Sequence, residues 1–290
     1  MFIKNLTLQN FKNHSSRFIE FSPQINCLVG DNGAGKTNIL DALHYLSVGK
    51  SFLGNSDLNN ITENEDFFSI EALISNENKE DILKIIQSKE SRKIIKKNDK
   101  NYSKIADHIG YLPSVMISPY DQNLISDSSE SRRKFMDTMI SQTDREYLFS
   151  LIHYQKTLQQ RNALLKNFQK SRTFDADNLE IYDEPLIKYG QIIFEKRKKF
   201  IHEIIPILQE YYAIISNQKE EVLISYQSDL EQDFRILLAE NLEKDRVLTY
   251  TSKGIHKDDL LFEMNGQLIK KIGSQGQQKS FLIALKLSQM

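Results

Sequence analysis

The first third of the chain carries the apolar pattern of a small sheet with one helix. Residues 2–9 alternate apolar and polar side chains, as in a strand with one buried face, and residues 18–21 have the pattern of its return partner. The continuous apolar run at residues 25–29 predicts a buried strand. Apolar positions at helical spacing after Thr37 predict a helix that ends near Gly49. Further strands are predicted at residues 67–75, 82–87 and 92–97.

The middle third has a helical pattern. Residues 132–168 contain neither proline nor glycine, and their apolar positions recur every three or four residues, which predicts one long amphipathic helix. After a polar break at residues 171–178, a second helix is predicted with Pro185 in its first turn, and Pro206 should bend or end it. Two helices joined by a short break predict an antiparallel hairpin.

The last third returns to strands. The predicted order is a strand at 222–226, a short helix at 229–242, and strands at 247–251 and 260–264. Asn265-Gly266 is a strong signal for a two-residue hairpin turn. A loop rich in glycine and glutamine, residues 273–279, then precedes the helical pattern of residues 280–287.

Composition narrows the class of protein. The chain has 290 residues, of which 40% are hydrophobic and 27% charged, as in a soluble globular protein, and its net charge of −1 neither favours nor excludes nucleic acid. The single cysteine, Cys27, falls in the predicted buried strand, so no disulfide framework is possible and a reducing compartment fits best. No apolar run approaches the roughly 20 residues of a membrane span. We therefore expect a cytoplasmic protein with no membrane contact.

The clearest chemical signal is a phosphate-binding loop between a predicted strand and a predicted helix. Glycines let the backbone bring its N–H groups against phosphate oxygens, and the following helix adds the positive end of its dipole. The lysine would reach the β- and γ-phosphates, and the Thr37 hydroxyl would coordinate Mg²⁺. We therefore expect ATP or GTP to bind here. The loop reads Gly30-Asp31-Asn32-Gly33-Ala34-Gly35-Lys36-Thr37.

A second loop has the same physical character. Ser274, Gln275, Gly276 and Gln277 present a hydroxyl and backbone N–H groups at the start of a helix, which is what a second phosphate contact requires. By itself this pattern is equally compatible with an ordinary helix start.

Together the two loops resemble those of the ABC-type ATPases that act on DNA, the relatives of Rad50 and SMC proteins, and most of all the RecF family. The resemblance extends to further motifs along the whole chain. These are L-Q-N-F-K-N-H at residues 8–14, I-S-P-Y-D at 117–121, R-R-K-F-M-D at 132–137 and G-I-H-K-D-D-L at 254–260.

The resemblance implies an α/β fold: a Rad50/SMC-head-like P-loop ATPase lobe of mixed sheets and helices with an inserted helical-hairpin lobe. Residues 1–122 and 216–290 would form the ATPase lobe, and residues 123–215 the helical lobe. The family binds ATP with Mg²⁺ and double-stranded or gapped DNA, and dimerises on ATP, so the Ser274–Gln277 loop would act in trans on the ATP of a partner copy. RecR would be the direct partner, with RecO and the loading of RecA downstream.

The chain departs from the family pattern at its end. It stops at Met290, before the Walker B strand that carries the family's catalytic carboxylates, and Asp258 and Asp259 resemble a different motif. We therefore identify no catalytic residue and expect a shortened family member with slow or absent ATP hydrolysis. Two alternatives remain open: an SMC-type or OLD-type ATPase head, and a non-hydrolysing, ATP-gated DNA clamp or scaffold.

Weaker site predictions concern metal and DNA. Asp121 and Gln122 are candidates for positioning metal or water beside Thr37. Candidate DNA contacts lie in the basic segment of residues 84–104 and in the run of basic residues at 196–199, since such runs can neutralise phosphates, although a solvated lysine face is an equal alternative. Within residues 84–104 the candidate DNA contacts are Lys93, Lys96, Lys97 and Lys100.

Overall fold

The structure is a computed structural model that describes residues 1–53, 56–76, 79–217 and 219–289. It divides into two compact units, Met1–Ser114 and Val115–Met290. The sequence-based division placed the first boundary at residue 122 and separated residues 123–215 from 216–290, whereas the structure packs these last two parts within one unit.

The first unit is an antiparallel sheet with one long helix. The order of the strands is β2-β1-β3-β4-β5-β6, and every neighbouring pair is antiparallel. Apolar side chains from the sheet and the helix form one core that includes Leu6, Ala42 and Ile70. Along the chain the elements are β1 (Phe2–Phe11), β2 (His14–Glu20), α1 (Lys36–Val48), β3 (Phe67–Asn76), β4 (Lys79–Ser88), β5 (Ile94–Lys97) and β6 (Lys100–Asn101), with 3₁₀ turns at Asp57–Asn60 and Ile105–Asp107.

The predicted strand before the glycine loop is wrong for the described part of the chain. Residues 25–29 lie outside any strand, and Ile25 and Val29 are 84% and 92% exposed. Cys27, expected in a core, is exposed as well. A strand needs a neighbour to accept its backbone hydrogen bonds, and among the described strands none pairs with this run. Apolar composition alone does not supply that neighbour.

The second unit combines a helical hairpin with a three-stranded antiparallel sheet of order β7-β8-β9. Its core includes Tyr154, Ile193, Phe262 and Phe281. Along the chain the elements are α2 (Asn123–Ser126), α3 (Ser129–Thr143), α4 (Arg145–Ser171), α5 (Ala176–Ser216), β7 (Val222–Gln227), α6 (Phe234–Glu240), α7 (Leu242–Leu248), β8 (Asp259–Met264), β9 (Gln267–Leu268), α8 (Ile269–Ile272) and α9 (Gln275–Leu287). Short 3₁₀ turns lie at Pro119–Gln122, Asp229–Glu231 and Ile255–Lys257.

The helical hairpin forms as predicted, although its helix ends differ. Helices α4 and α5 are antiparallel, since Asp144 at the start of α4 contacts Lys196 late along the hairpin, and Arg161 contacts Asp183 nearer the turn. The single long helix predicted over residues 132–168 is interrupted at Asp144, which has extended backbone and caps α4.

Two features of the second unit were predicted wrongly: the start of the second hairpin helix and the strand at residues 247–251. Helix α5 begins nine residues before Pro185 and contains both Pro185 and Pro206 in its interior, because a packed helix tolerates the loss of one hydrogen bond at each proline. The strand predicted at residues 247–251 is instead the end of α7 followed by a left-handed Thr249. The Asn265-Gly266 turn is confirmed, with φ of 49° and 74°.

In the described part of the chain, no helix is both long and apolar enough to cross a membrane.

Candidate nucleotide-binding site

The loop of residues 30–37 has a backbone that only glycine adopts easily. Gly30, Gly33 and Gly35 have φ of 154°, 86° and 85°. Gly35 is the N-terminal cap of α1 and leaves the helix without any side-chain cap. The N–H groups of the first helical turn have no acceptor within the helix, so they are available to an anion in front of it.

Lys36 directs its charge into the loop. Its Nζ donates hydrogen bonds to the carbonyl oxygens of Gly30 at 2.6 Å and Asp31 at 2.7 Å. Thr37 follows in the first turn of α1 and is exposed, which leaves its hydroxyl free to coordinate a hard cation. Among the described residues, no group of three or more histidine, cysteine or carboxylate side chains could hold a metal ion.

The turn between β1 and β2 supports this loop, a role that the sequence pattern does not reveal. The Asn13 side-chain amide donates to the Gly33 carbonyl at 3.1 Å and accepts a hydrogen bond from Asn38 at 2.8 Å. The His14 imidazole lies 3.1 Å from the Gly35 carbonyl, and donates to it through Nε2. Both residues belong to the motif at residues 8–14. The sequence shows the motif, but only the fold shows that it supports the glycine loop.

A buried ion pair anchors the helix behind the loop. Asp41 on α1 is fully buried, and Lys12 Nζ lies 2.5 Å from its Oδ2. The Ser51 hydroxyl and the Phe52 backbone N–H each donate to the same carboxylate at 2.6 Å. These three contacts occupy the buried Asp41 carboxylate, which holds the segment after α1 in place. Asp41 is therefore not available to a ligand.

The second loop is formed as an exposed helix start. Ser274 caps α9 and forms a capping box with Gln277: its own N–H donates to the Gln277 side chain at 2.8 Å, and its hydroxyl oxygen accepts from the Gln277 N–H at 3.3 Å. Because that hydroxyl oxygen accepts, its O–H is left to donate to an anion. Gln275 and Gly276 are exposed, and a Cβ at Gly276 would meet only Ser274 Oγ at 3.9 Å.

Asp121 and Gln122 are held by the same helix. Asp121 is 6% exposed, caps the turn at Ser118, and pairs with the nearly buried Lys286 of α9 at 2.9 Å. The Gln122 amide donates to the side chain of Gln278 on α9. These contacts attach the I-S-P-Y-D segment to the helix that carries the second loop. A role of either residue in positioning metal or water stays a prediction.

Two of the four lysines predicted to contact DNA form ion pairs within the protein, and the other two are accessible to solvent. Lys93 is buried beside Tyr45, donates to the Gly49 carbonyl at 2.5 Å and pairs with Asp57 at 2.7 Å, which contradicts its assignment to a DNA-binding face. Lys97 pairs with Asp81 at 2.9 Å. Lys100 is exposed and Lys96 is partly exposed, so these two remain candidates.

The basic run at residues 196–199 is not a free cationic patch. Arg197 is 1% exposed and binds Asp258 at 2.6 Å and Asp137 at 2.8 Å. The three lysines of the run each pair with a carboxylate. Glu203 lies on α5 itself, four residues after Lys199, but the other partners lie outside α5 and sequence spacing could not show them.

The remaining family-like motifs meet in the interior of the second unit. Arg132 holds Asp259 with two hydrogen bonds of 2.6 Å and 3.0 Å, while Arg133 donates to the Asp258 carbonyl at 2.6 Å. Burial raises the pKa of Asp258, and the adjacent Arg197 opposes that shift. The acidic pair is thus committed to arginines and stabilises the fold.

The comparisons with known proteins agree with this architecture. A family model described as an AAA domain matches residues 5–284. The structure of an Smc head domain bound to the C-terminal winged-helix domain of ScpA aligns with a TM-score of 0.54 at 16% identity, over 100% of this chain and 76% of that one. Fold and loop geometry therefore define an ABC-type P-loop ATPase of mixed sheets and helices.

Nearer relatives specify the family. The chain is 51% identical to the DNA replication and repair protein RecF of Flavobacterium johnsoniae, over 100% of this chain and 81% of the relative, and 45% identical to that of Parabacteroides distasonis, over 100% and 78%. A structure of the recombination mediator protein RecF with ATP in the RecFOR pathway aligns with a TM-score of 0.93 at 30% identity, covering 99% of this chain and 79% of that one. The chain belongs to the RecF family of DNA replication and repair proteins.

Proposed function

We propose that this chain binds ATP and Mg²⁺ at residues 30–37 and acts in recombinational gap repair and replication maintenance. The observation that carries the proposal is the loop itself: three glycines of positive φ, an uncapped helix start, and the Lys36 ammonium directed into the loop. The similar RecF structure contains ATP, which supports the same ligand here.

ATP is also proposed to join two copies of the chain. Residues 30–37 of one copy contact one side of the nucleotide, so phosphate charge stays uncompensated until further donors arrive. The exposed Ser274–Gln277 loop offers such donors: a free hydroxyl proton and the N–H groups at the start of α9. In a symmetric dimer each copy would complete the site of the other, and two ATP molecules would be buried.

The proposed dimer binds double-stranded and gapped DNA and recruits RecR, with RecO and RecA loading downstream, in the cytoplasm. Lys96 and Lys100 are the candidate phosphate contacts that the structure leaves accessible. Family membership supports the DNA-directed role.

Turnover is proposed to be slow. Asp258 and Asp259, the acidic pair nearest in sequence to the second loop, are bound by Arg197 and Arg132 and do not serve as a general base. This commitment favours the second candidate function, an ATP-gated DNA clamp in which nucleotide binding controls dimerisation. Sustained, DNA-stimulated phosphate release by this chain would contradict the clamp.

Sedimentation velocity with Mg-ATP, with Mg-ADP and without nucleotide tests the proposal. The unchanged chain should dimerise only with Mg-ATP. Lys36→Ala removes the phosphate contact in cis, and Ser274→Arg blocks the donor in trans, so each variant alone should stay monomeric. Mixed in equal amounts, the two variants should recover dimers, because one of the two sites in a mixed dimer combines an intact Lys36 with an intact Ser274.

Each failure has a distinct meaning. If neither the variants nor the unchanged chain bind ATP, the assignment of residues 30–37 is refuted. If the unchanged chain binds ATP and stays monomeric, the nucleotide site stands and the role of the second loop in trans fails.

A further inference from the structure

The second loop is hydrogen-bonded to a residue that directly follows the helical hairpin. The Gln277 side chain donates from Nε2 to Glu220 Oε1 at 2.8 Å, and its Oε1 accepts from the Ser274 N–H at 2.8 Å. One side-chain amide therefore joins Glu220 to Ser274. Glu220 lies between α5 and β7, and both Glu220 and Gln277 are partly buried.

Glu220 is in turn held by the last turns of α5. The Tyr212 hydroxyl donates to Glu220 Oε2 at 3.3 Å, and Tyr212 is 1% exposed. Burial, together with the Glu220 carboxylate, raises the pKa of Tyr212 to about 12, so the hydroxyl stays protonated at neutral pH. The Tyr212 ring also lies beside Phe281 of α9, with ring centroids 6.5 Å apart. Since each oxygen of Glu220 has its own donor, the carboxylate has a defined position.

The carboxylate of Glu220 decides which way the Gln277 amide faces. A glutamine amide carries an acceptor oxygen and a donor NH₂ group at nearly equivalent positions, and a half rotation exchanges them. An ionised carboxylate only accepts hydrogen bonds, so it selects the orientation in which Nε2 faces Glu220. The same orientation turns Oε1 toward the Ser274 N–H. In the reversed amide, two donors would meet at Ser274 and two acceptors would meet at Glu220.

The orientation of this amide bears on the Ser274 hydroxyl. Ser274 has extended backbone, with φ of −60° and ψ of 160°, and its Oγ accepts from the Gln277 N–H at 3.3 Å. The two bonds of a capping box support each other, because each fixes the residue that makes the other. Ser274 is exposed, so packing contributes little to its placement. The hydroxyl therefore depends on the Gln277 side chain for its position.

We propose that Glu220 is a positioning residue of the second loop. It orients the Gln277 amide, and Gln277 then holds the backbone and hydroxyl of Ser274 in the arrangement that contacts the nucleotide of a partner copy. The inference rests on the proposed role of residues 274–277 in trans. It adds a polar connection from α5 to this loop, which runs through Tyr212 and Glu220.

Glu220→Ala, which removes the acceptor, tests the proposal with two measurements. Amide hydrogen exchange at Ser274, followed by mass spectrometry without nucleotide, should become about tenfold faster, since a hydrogen bond to its N–H is weakened. Sedimentation velocity with Mg-ATP should show dimerisation weakened about tenfold, because a symmetric dimer contains the loop twice. Binding of a fluorescent ATP analogue by the monomer should stay unchanged, because residues 30–37 supply the contacts in cis.

Two further variants distinguish positioning from charge. Glu220→Gln keeps an acceptor oxygen for Gln277 and loses only the charge, so it should restore both Ser274 exchange and dimerisation to nearly those of the unchanged chain. Glu220→Lys offers a donor, which attracts the Gln277 oxygen away from the Ser274 N–H. It should weaken dimerisation at least as much as Glu220→Ala.

The adjacent residue supplies the matched control. Glu221 is exposed, and Glu221→Ala removes the same charge one position later in the chain. This variant should dimerise with Mg-ATP as the unchanged chain does, and its Ser274 exchange should be the same. Thermal unfolding of all four variants shows that each is folded under the conditions of the measurements.

Three results would overturn the inference alone. The first is equal Ser274 exchange in Glu220→Ala and the unchanged chain, which would show that Glu220 does not order Ser274. The second is faster exchange with unaltered dimerisation. The third is dimerisation of Glu220→Gln as weak as that of Glu220→Ala, which would assign the effect to charge.

Failure of the proposed function would look different. An unchanged chain that binds ATP and stays monomeric would refute the role of the second loop in trans, and the positioning role would fall with it. The comparison of Ser274 exchange needs no dimer, so it still shows in that case whether Glu220 orders the loop.

Discussion

At the residue scale, the nucleotide loop shows two different reasons for glycine. Gly33 and Gly35 have almost equal φ, 86° and 85°. A Cβ at Gly33 would meet nothing within 4 Å, whereas a Cβ at Gly35 would lie 2.5 Å from Asn13 Oδ1 and would also overlap His14. Gly33 is required for conformation alone, and Gly35 for conformation and for space.

Alanine substitutions at Gly33 and at Gly35 should separate the requirement for conformation from the requirement for space. Each substitution places an L-residue in the left-handed region, at a cost of about 1–2 kcal/mol. Gly35→Ala should lose a further 1–3 kcal/mol or so, because Asn13 and His14 must move. Urea unfolding of both variants measures the difference, and equal losses would show that the β1–β2 turn yields without cost.

At the element scale, helix ends in the second unit are determined by capping residues and their distant partners. Asp144 separates α3 from α4, accepts a hydrogen bond from the Tyr147 N–H at 2.9 Å, and pairs with Lys196 of α5 at 2.5 Å. Both contacts lower the pKa of Asp144, against the opposing effect of burial. The break in the helical pattern is therefore fixed by one carboxylate that serves two elements.

Two substitutions at Asp144 should resolve its two contributions. Asp144→Ala removes both the cap and the ion pair and should destabilise the chain by about 1–2 kcal/mol, as N-cap losses do. Asp144→Asn keeps the cap and loses only the partly exposed ion pair, which is worth about 0–1 kcal/mol. Chemical denaturation should rank them in that order, and a larger loss for Asp144→Asn would show that the ion pair is the dominant contact.

At the scale of the whole molecule, the second unit is unusual in its buried polar interior. Arg161 and Arg197 are 0% and 1% exposed, and each binds two carboxylates from separate segments. His256 lies among them: its Nε2 donates to the Thr251 carbonyl at 2.9 Å, and its Nδ1 accepts from Tyr154 at 2.8 Å. Burial, with smaller effects from Lys257 and Arg133, lowers the pKa of His256 to about 4.

Because of this buried histidine, the stability of the fold changes with pH in the mildly acidic range. In the unfolded chain its pKa is near 6.5, so between pH 6.5 and 4 the unfolded state binds a proton that the folded state does not. Stability should therefore fall as pH decreases through this window, by about 2–3 kcal/mol from His256. The raised pKa of Asp258 has the opposite effect on stability. Its contribution stabilises the fold at low pH and is lost as pH rises.

Comparison with His256→Gln isolates the histidine from the carboxylate. Denaturation of both proteins between pH 4 and 7 should show the unchanged chain gaining 2–3 kcal/mol or so over the variant as pH rises, and then a constant difference above pH 7. Parallel stability curves would show that His256 titrates normally in the folded state.

The sequence by itself determined what depends on local chemistry. The glycine loop and Lys36, the strands β1, β3 and β4, the Asn265-Gly266 turn and the hairpin of α4 and α5 all follow from backbone preferences and apolar spacing, which act over a few residues. The motif resemblance extended this to the family, which the relatives confirm.

Only the tertiary structure decided what depends on distant partners. Residues 25–29 have strand composition but no strand beside them, Pro185 and Pro206 remain inside a helix because packing outweighs two lost hydrogen bonds, and Lys93 and Arg197 are buried ion-pair members in runs that looked like free charge. The supports of the loop, Asn13 and His14, act across 20 and 21 residues of sequence. Burial, pairing and charge compensation are properties of neighbours in space, and spacing along the chain does not encode them.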